Sequence, residues 1–386
     1  MMRHEFLPFS PPLIGEEEIH EVVDTLQSGW ITTGPKTKQF ENNFKEYLGA
    51  PAALALSSGT AAMHAALVAS GIGPGDEVIT TPLTFCSTVH VIEQVGAKPV
   101  LADVEPDTLN IDPEQVAAVV TSRTRAILPV HYGGHPANLE RLLEIAIKHE
   151  LIILEDAAHA LPAKYKGTFI GSNDNPVAFS FYATKNLTTG EGGMLTGPPD
   201  FIKKAEIISL HGMNRDAWKR YHVGGNWYYE VISPGFKYNM TDIQASIGIW
   251  QLRKLDRFQE RRQRIVAIYN NAFNENESLI LPTARPEVKH AWHLYPIRLD
   301  NQTLRIDRDR FAQEMTSRKI GISVHFIPIH IHPYFRKKYG YNENDFPVAY
   351  KNYLRLITLP LNLQLTDRDV YDVVDAVTDI TKKFRR

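Results

Sequence analysis

Cysteine is almost missing from this chain: Cys86 stands alone among 386 residues. A lone thiol has no intramolecular partner, so no disulfide framework braces the fold, and the usage suits a reducing compartment such as the cytoplasm. Nor does any apolar run approach the roughly 20 residues that a membrane span needs. Met1-Met2-Arg3-His4-Glu5 leads into prolines instead of a signal-peptide core. Charge of one sign is lacking too. The 42 basic and 44 acidic residues leave a formal net charge of -2, too weak a field to point to nucleic acid or an anionic membrane as partner. No internal repeat or low-complexity tract interrupts the chain. What remains, 43% apolar and 22% charged, is ordinary globular material.

A chain of this length exceeds one small core, which favours a large domain plus a smaller one. Through the first two-thirds, seven short apolar runs (53–56, 78–80, 99–102, 126–130, 152–155, 178–181 and 194–196) alternate with helical patterns such as 60–70, 113–120 and 139–149. Such alternation marks βαβ units on a largely parallel sheet, so the fold class is α/β. Near the start, 16–27 places Ile19, Val22, Val23 and Leu26 on one face, which predicts an amphipathic helix laid on another surface. From Thr241 to about residue 270 the pattern is helical with at most one interruption, a long helix bridging two domains. The remainder mixes strands at 294–299, 322–325 and 357–359 with helices at 308–318 and 367–382, a smaller α+β domain. The expected division is 1–250 for an N-terminal helix and large domain, and 251–386 for the bridging helix and small domain.

Lys185 carries the strongest functional signal. It lies in Ser180-Phe181-Tyr182-Ala183-Thr184-Lys185-Asn186, between an apolar aromatic run and the glycine-rich turn Thr188-Thr189-Gly190-Glu191-Gly192-Gly193. A lysine held there is desolvated, and its amine becomes a competent nucleophile; elsewhere most lysines are solvated surface charges. Upstream, Asp156 ends the apolar run 151–154. A carboxylate emerging from a buried strand is costly unless paired, and a pyridinium N–H is a suitable partner, with a helix cap or structural salt bridge as the plainer reading. A Schiff-base lysine plus such a carboxylate is the minimal apparatus for pyridoxal 5′-phosphate (PLP). The coenzyme's other groups have candidates as well. Ser57-Ser58-Gly59-Thr60-Ala61-Ala62 follows a strand and opens a helix, offering backbone N–H groups to a phosphate, although serine and threonine also cap helices with no ligand. Phe85 stands where a loop could stack it on a ring, unless it is simple core. His159, three residues after Asp156, either meets a phenolate oxygen or is a satisfied core imidazole.

Together these residues resemble the DegT/StrS family of PLP-dependent sugar aminotransferases. The resemblance also takes in Ser28-Gly29-Trp30-Ile31-Thr32-Thr33-Gly34-Pro35, Gly73-Pro74-Gly75-Asp76-Glu77-Val78, Glu155-Asp156-Ala157-Ala158-His159, Tyr238-Asn239-Met240-Thr241-Asp242 and His290-Ala291-Trp292-His293-Leu294. It implies the fold-type I architecture, with a mostly parallel seven-stranded sheet flanked by helices. By that resemblance Lys185 would form the internal aldimine and shuttle a proton between substrate carbon and cofactor. Asp156 would pair with the pyridine nitrogen, His159 with the phenolate oxygen and Phe85 with the ring face, while Ser58, Gly59, Thr60 and Ser180 hold the phosphate. Such enzymes pass nitrogen from an amino acid, typically L-glutamate, to a nucleotide-linked keto-sugar, releasing 2-oxoglutarate. The resemblance also implies a homodimer in which a partner residue reaches the phosphate. Asn239 is the candidate for that cofactor contact, although many relatives carry Asn and Arg two positions apart where this chain has Lys237 and Asn239, which leaves open which side chain crosses. Trp30, Thr32, Thr33, His211 in the loop Leu210-His211-Gly212-Met213-Asn214-Arg215, Lys237 and His325 fall in regions that border the sugar nucleotide. Phe6-Leu7-Pro8-Phe9-Ser10, with the Trp30 and His290 segments, looks most like the enzymes that aminate a UDP-linked 4-keto-pentose (giving UDP-4-amino-4-deoxy-L-arabinose).

Competing readings are weaker. Relatives that dehydrate the sugar replace the lysine with histidine, which Lys185 opposes. The G-x-G-x-x-G turn of a nicotinamide enzyme does not follow the first strand. His325, His330 and His332 match no common metal-ligand spacing. A PLP lyase on free amino acids shares the cofactor, and a non-catalytic PLP- or nucleotide-binding protein is the alternative of another class.

Overall fold

The computed structural model describes residues 3–214 and 228–386. Its main sheet runs, edge to edge, Lys98–Leu101, Glu77–Thr80, Thr124–Leu128, an interrupted strand made of Ile152–Ile153 and Glu155–Asp156, Val177–Ser180, Gly193–Gly197 and Ala52–Leu56. The interruption is healed at Asp156. Val130 bridges it in parallel, the His131 N–H donates to its carbonyl, and its own N–H donates to Pro129. Within this sheet Gly193–Gly197 runs opposite to the other strands, so its pairings with Val177–Ser180 and Ala52–Leu56 are antiparallel and the rest are parallel.

Helices Gly59–Ala69, Cys86–Gln94, Pro113–Ala118 and Leu139–His149 are the crossovers that parallel pairing demands. Leu139–His149 shows why the sequence folds so. Asn138 caps it by accepting the Arg141 N–H, and Leu142, Ile145 and Ala146 face the sheet.

The helix Asp242–Phe273 is unbroken over 32 residues, so the single interruption allowed by the sequence does not occur. Thr241 and Gln244 close a capping box at its start. Gly248 lets the helix press on Phe40: a Cβ there would lie 2.7 Å from that ring. Ala245, Ile249, Leu252 and Leu255 join a core with Phe40, Phe44, Phe179 and Phe181, whereas Ile265, Val266, Tyr269 and Phe273 join a separate C-terminal core. That second core lies on the antiparallel sheet Leu279–Ile280, Tyr295–Leu299 and Leu356–Leu359, with helices Arg308–Ser317 and Asp367–Lys383.

Two sequence expectations are corrected. Residues 322–325 form no strand: among the described residues only Ser323 bridges Thr358, and the His325 carbonyl is engaged away from the sheet by the Tyr132 hydroxyl. Helix Glu16–Gln27 exists, but Ile19, Val23 and Leu26 point outward. Polar contacts seat it instead: Glu18 accepts from Gln251 and Lys254, and Glu21 from Trp250 and Lys36. Within one chain the apolar face is left exposed, while the surface beneath the helix offers donors to its carboxylates. Further along, the N-terminal stretch belongs with the other end of the chain. Leu7 lies in the C-terminal core and exchanges backbone hydrogen bonds with Lys319 and Gly321.

The aromatic cluster predicts a stability contrast. Phe44 is fully buried and meets Phe179 and Phe181 with ring centroids 5.2 and 5.6 Å apart, so Phe44→Ala should cost about 3–5 kcal/mol in urea unfolding. Ile147 is 77% exposed, and Ile147→Ala should stay within about 0.5 kcal/mol of the parent. Equal losses would contradict this packing.

Candidate active site

Parallel strands deliver their carboxyl ends to one edge of the sheet, and the following loops meet there. Ser58, Gly59, Thr60, Phe85, Asp156, His159, Ser180, Lys185 and His325 all line one cavity of about 520 Å³ at that edge. Thr84, Met63, His293, Phe326 and the N-terminal Phe9 and Ser10 complete much of its wall.

One corner suits an anion. Helix Gly59–Ala69 abuts the neighbouring strands so closely that a Cβ on Gly59 would lie 2.9 Å from Ser180 Cβ, and one on Gly193 would lie 2.4 Å from the Ser58 carbonyl carbon. Backbone thus faces the cavity directly. First-turn N–H groups have no intrahelical acceptor, and they carry the positive end of the helix dipole. Ser58 Oγ accepts the Ala61 N–H at 3.0 Å, so the helix-capping role holds for that hydroxyl.

Asp156 ends the interrupted strand and is buried. Oδ1 accepts the Ala158 N–H at 3.0 Å, and Oδ2 accepts the Thr88 hydroxyl at 2.8 Å. Burial pushes its carboxyl up, opposed by those two donors, Lys185 and His131. Four lone-pair sites and two protein donors leave room for a further donor from the cavity.

Lys185 is half-buried in a turn closed by its own N–H on the Tyr182 carbonyl. Asn186 anchors that turn through its amide, which donates to the Leu161 and Ala291 carbonyls at 2.8 Å each. Desolvation brings the Lys185 ammonium down to about 8, with Asp156 pulling the other way. That shift frees roughly 300-fold more neutral amine at neutral pH than an ordinary lysine offers.

The imidazoles around the lysine are neutral. His159 accepts the Gly133 N–H at Nδ1, 3.3 Å away, which assigns its proton to Nε2. Its ring lies 4.4 Å from that of His293 and stacks on Phe326 at 5.7 Å. Asn186 Oδ1 accepts from His293 Nδ1 at 3.3 Å, since its NH₂ is committed elsewhere. Burial holds His159 and His293 well below the usual range, and it lowers His325 to about 4, with Lys185 adding to all three.

Other predicted residues lie off this cavity. Asn239 donates to Thr33 Oγ1, Trp30 Nε1 donates to the Thr33 carbonyl at 3.1 Å, and the Thr32 carbonyl accepts the Asp242 N–H. Lys237 bridges Leu210, and the His211 N–H donates to Phe236. These segments still touch the anion corner's support: Asn239 bridges Leu56, and the Ser57 N–H donates to Tyr238 at 2.7 Å. Arg215, at the end of the His211 loop, is outside the described residues. His330 packs on Phe346 and Tyr350, away from the cavity. Among the described residues no group of three His, Cys, Asp or Glu is placed to hold a metal, and no helix is long and apolar enough to cross a membrane.

Sequence reasoning gave no role to Thr88, His293, Phe326 or Phe9. Thr88 stands four residues after Thr84 and the two hydroxyls meet at 2.8 Å, but nothing in the sequence places the carboxylate beside them. His293 lay in a segment quoted for resemblance alone.

An anion cradle, an amine of lowered basicity and a carboxylate with acceptor capacity to spare are what PLP asks of a protein. On this α/β sheet they define a PLP-dependent transferase of fold-type I. The chain belongs to the DegT/DnrJ/EryC1/StrS aminotransferase family, whose model matches residues 12–378. Spore coat polysaccharide biosynthesis protein SpsC of Bacillus subtilis is 51% identical over 382 residues, 98% of each chain. Spr1654 of Streptococcus pneumoniae, solved in PMP, PLP and apo forms, matches in its PMP form with a TM-score of 0.92 and 36% identity, covering 98% of this chain and 99% of that one. Helicobacter pylori PseC, an aminotransferase involved in the biosynthesis of pseudoaminic acid, matches with a TM-score of 0.90 and 26% identity, over 98% and 100% of the two chains. PLP is accordingly the cofactor.

The lowered lysine is directly testable. Acylation of Lys185 in cofactor-free protein, followed by peptide mass spectrometry, should rise with a midpoint near pH 8, because only the neutral amine reacts. A midpoint at the ordinary lysine value would refute the desolvated site.

Proposed function

We propose that this enzyme moves an amino group from L-glutamate to a keto-sugar carried on a nucleotide. The observation that carries the reading is the convergence of Lys185, Asp156 and His159 on one cavity. Its volume falls in the range of sites for ligands larger than an amino acid. The printed names of SpsC and PseC, one for a spore coat polysaccharide and one for pseudoaminic acid, favour a sugar acceptor. Neither name speaks of a pentose, so the UDP-4-keto-pentose resemblance remains one arm of the test below.

PLP, when bound, supplies an electrophilic carbon and a ring that withdraws electrons from the carbon bearing the substrate nitrogen. Gly59, Thr60 and Ser180 would hold its phosphate at the helix end. Asp156 would accept a hydrogen bond from the ring nitrogen and keep positive charge there. His159 would offer its Nε2–H to the phenolate oxygen. Lys185 would hold the cofactor through its amine and would be the group that accepts and returns a proton at the reacting carbon. A value of about 8 suits a group that must both accept and release a proton near neutral pH. Phe85, 59% exposed at the rim, is positioned to cover a ring face.

The resting holoenzyme should lose its visible coenzyme absorbance on addition of L-glutamate and release stoichiometric 2-oxoglutarate. The product form should then aminate at least one member of a panel of UDP-, GDP- and dTDP-linked keto-sugars, the UDP-keto-pentose among them. Lys185→Ala should bind PLP yet lose roughly four orders of magnitude in turnover. Unchanged absorbance with glutamate would favour a lyase, and full activity in the variant would end the assignment.

The same reading includes a homodimer. Lys237 and Asn239 lie off their own cavity, on a segment paired to strand Ala52–Leu56, where a second copy could use either one at its phosphate corner. Exposed Val231 and Ile232 are apolar surface of the kind an interface covers. Sedimentation of the active enzyme should give twice the chain mass; an active monomer would refute it.

A further inference from the structure

Asp156 is held from behind by a residue that does not line the cavity. Thr88, fully buried on helix Cys86–Gln94, donates its hydroxyl to Asp156 Oδ2 at 2.8 Å. An ionised carboxylate only accepts, so the direction of that bond is fixed, and the Thr88 oxygen is left as an acceptor. Thr84 Oγ1 stands 2.8 Å from it and must then be the donor. Thr84 does line the cavity. With its proton committed to Thr88, its side chain shows the cavity only lone pairs. Three buried groups thus form a one-way chain from Thr84 through Thr88 to Asp156.

The second carboxylate oxygen is fixed independently, by the Ala158 N–H at 3.0 Å. Rotation of the carboxylate plane therefore breaks at least one bond between buried groups, where an unmade bond is expensive. Resting on the PLP aminotransferase reading above, we propose that Thr88 is a positioning residue that fixes the plane of the Asp156 carboxylate so that its remaining lone pairs meet the ring N–H. The Thr88 bond also opposes the upward push of burial on Asp156, alongside the Ala158 N–H, Lys185 and His131. A hydroxyl at position 88 thereby acts on the electron sink without touching it.

The test compares two ligands on cofactor-free protein: PLP itself, and the analogue carrying CH in place of the ring nitrogen. Wild type should prefer PLP. Thr88→Val, nearly the same shape without the hydroxyl, should lose roughly tenfold of that preference, while Thr88→Ser should keep it. In an Asp156→Asn background Thr88→Val should change the preference no further. Because the readout is a ratio on one protein, a general loss of folded material cancels, and Thr88→Ala decides by the same ratio if the valine variant does not fold. Thr88→Val with the wild-type preference overturns the proposal. Wild type that binds both ligands equally overturns the role of Asp156 itself, a separate failure.

Discussion

A lysine and an aspartate share one desolvated cavity, and each is pushed by burial toward the form that the other opposes. Full hydration of both charges would dissolve this tension, so the fold must hold each side chain where it cannot swing away. Much of the site serves that end. The Asn186 amide locks the turn behind Lys185, two donors lock Asp156, and the neutral rings of His159, His293 and Phe326 fill space beside the amine without adding charge.

The sheet supplies the precision. Asp156 sits where two parallel ladders join, its backbone N–H and carbonyl both engaged with the neighbouring strand. The anion corner depends on backbone contact between the helix at Gly59 and the ends of two strands. Rigid elements place each of these groups, which is what a reaction sensitive to small displacements requires.

Much of this was legible in the sequence, and the reasons differ by element. Strand and helix periodicity located the sheet and its crossovers because βαβ packing leaves a strong apolar alternation. Lys185 and Asp156 stood out because a charge at the end of an apolar run needs an explanation. Helix Glu16–Gln27 was misread since its apolar residues face outward and Glu18 faces in; pattern alone cannot tell that the opposing surface carries Gln251 and Lys254. The absent strand at 322–325 failed for a related reason. Its local sequence is β-prone, but a tertiary bond from Tyr132 engages the His325 carbonyl away from the sheet. Thr88 was invisible because its meaning is relational: a buried threonine is unremarkable until the carboxylate it serves is placed beside it. The residues at 30–33 and 237–239 gather on a surface apart from the cavity, and one chain by itself does not give them a ligand.

The tether of the chain's first residues to its far end has a mechanical consequence. Leu7 is built into the C-terminal core, and Phe9 stacks on His325 at 5.6 Å while its carbonyl accepts from Asn362. Phe9, Ser323, His325 and Phe326 line the same cavity as Lys185 and Asp156. Part of the mouth is thus built from the two ends of the chain, so a substitution that shifts Leu7 in its core reaches the rim through Phe9, far from any reacting atom.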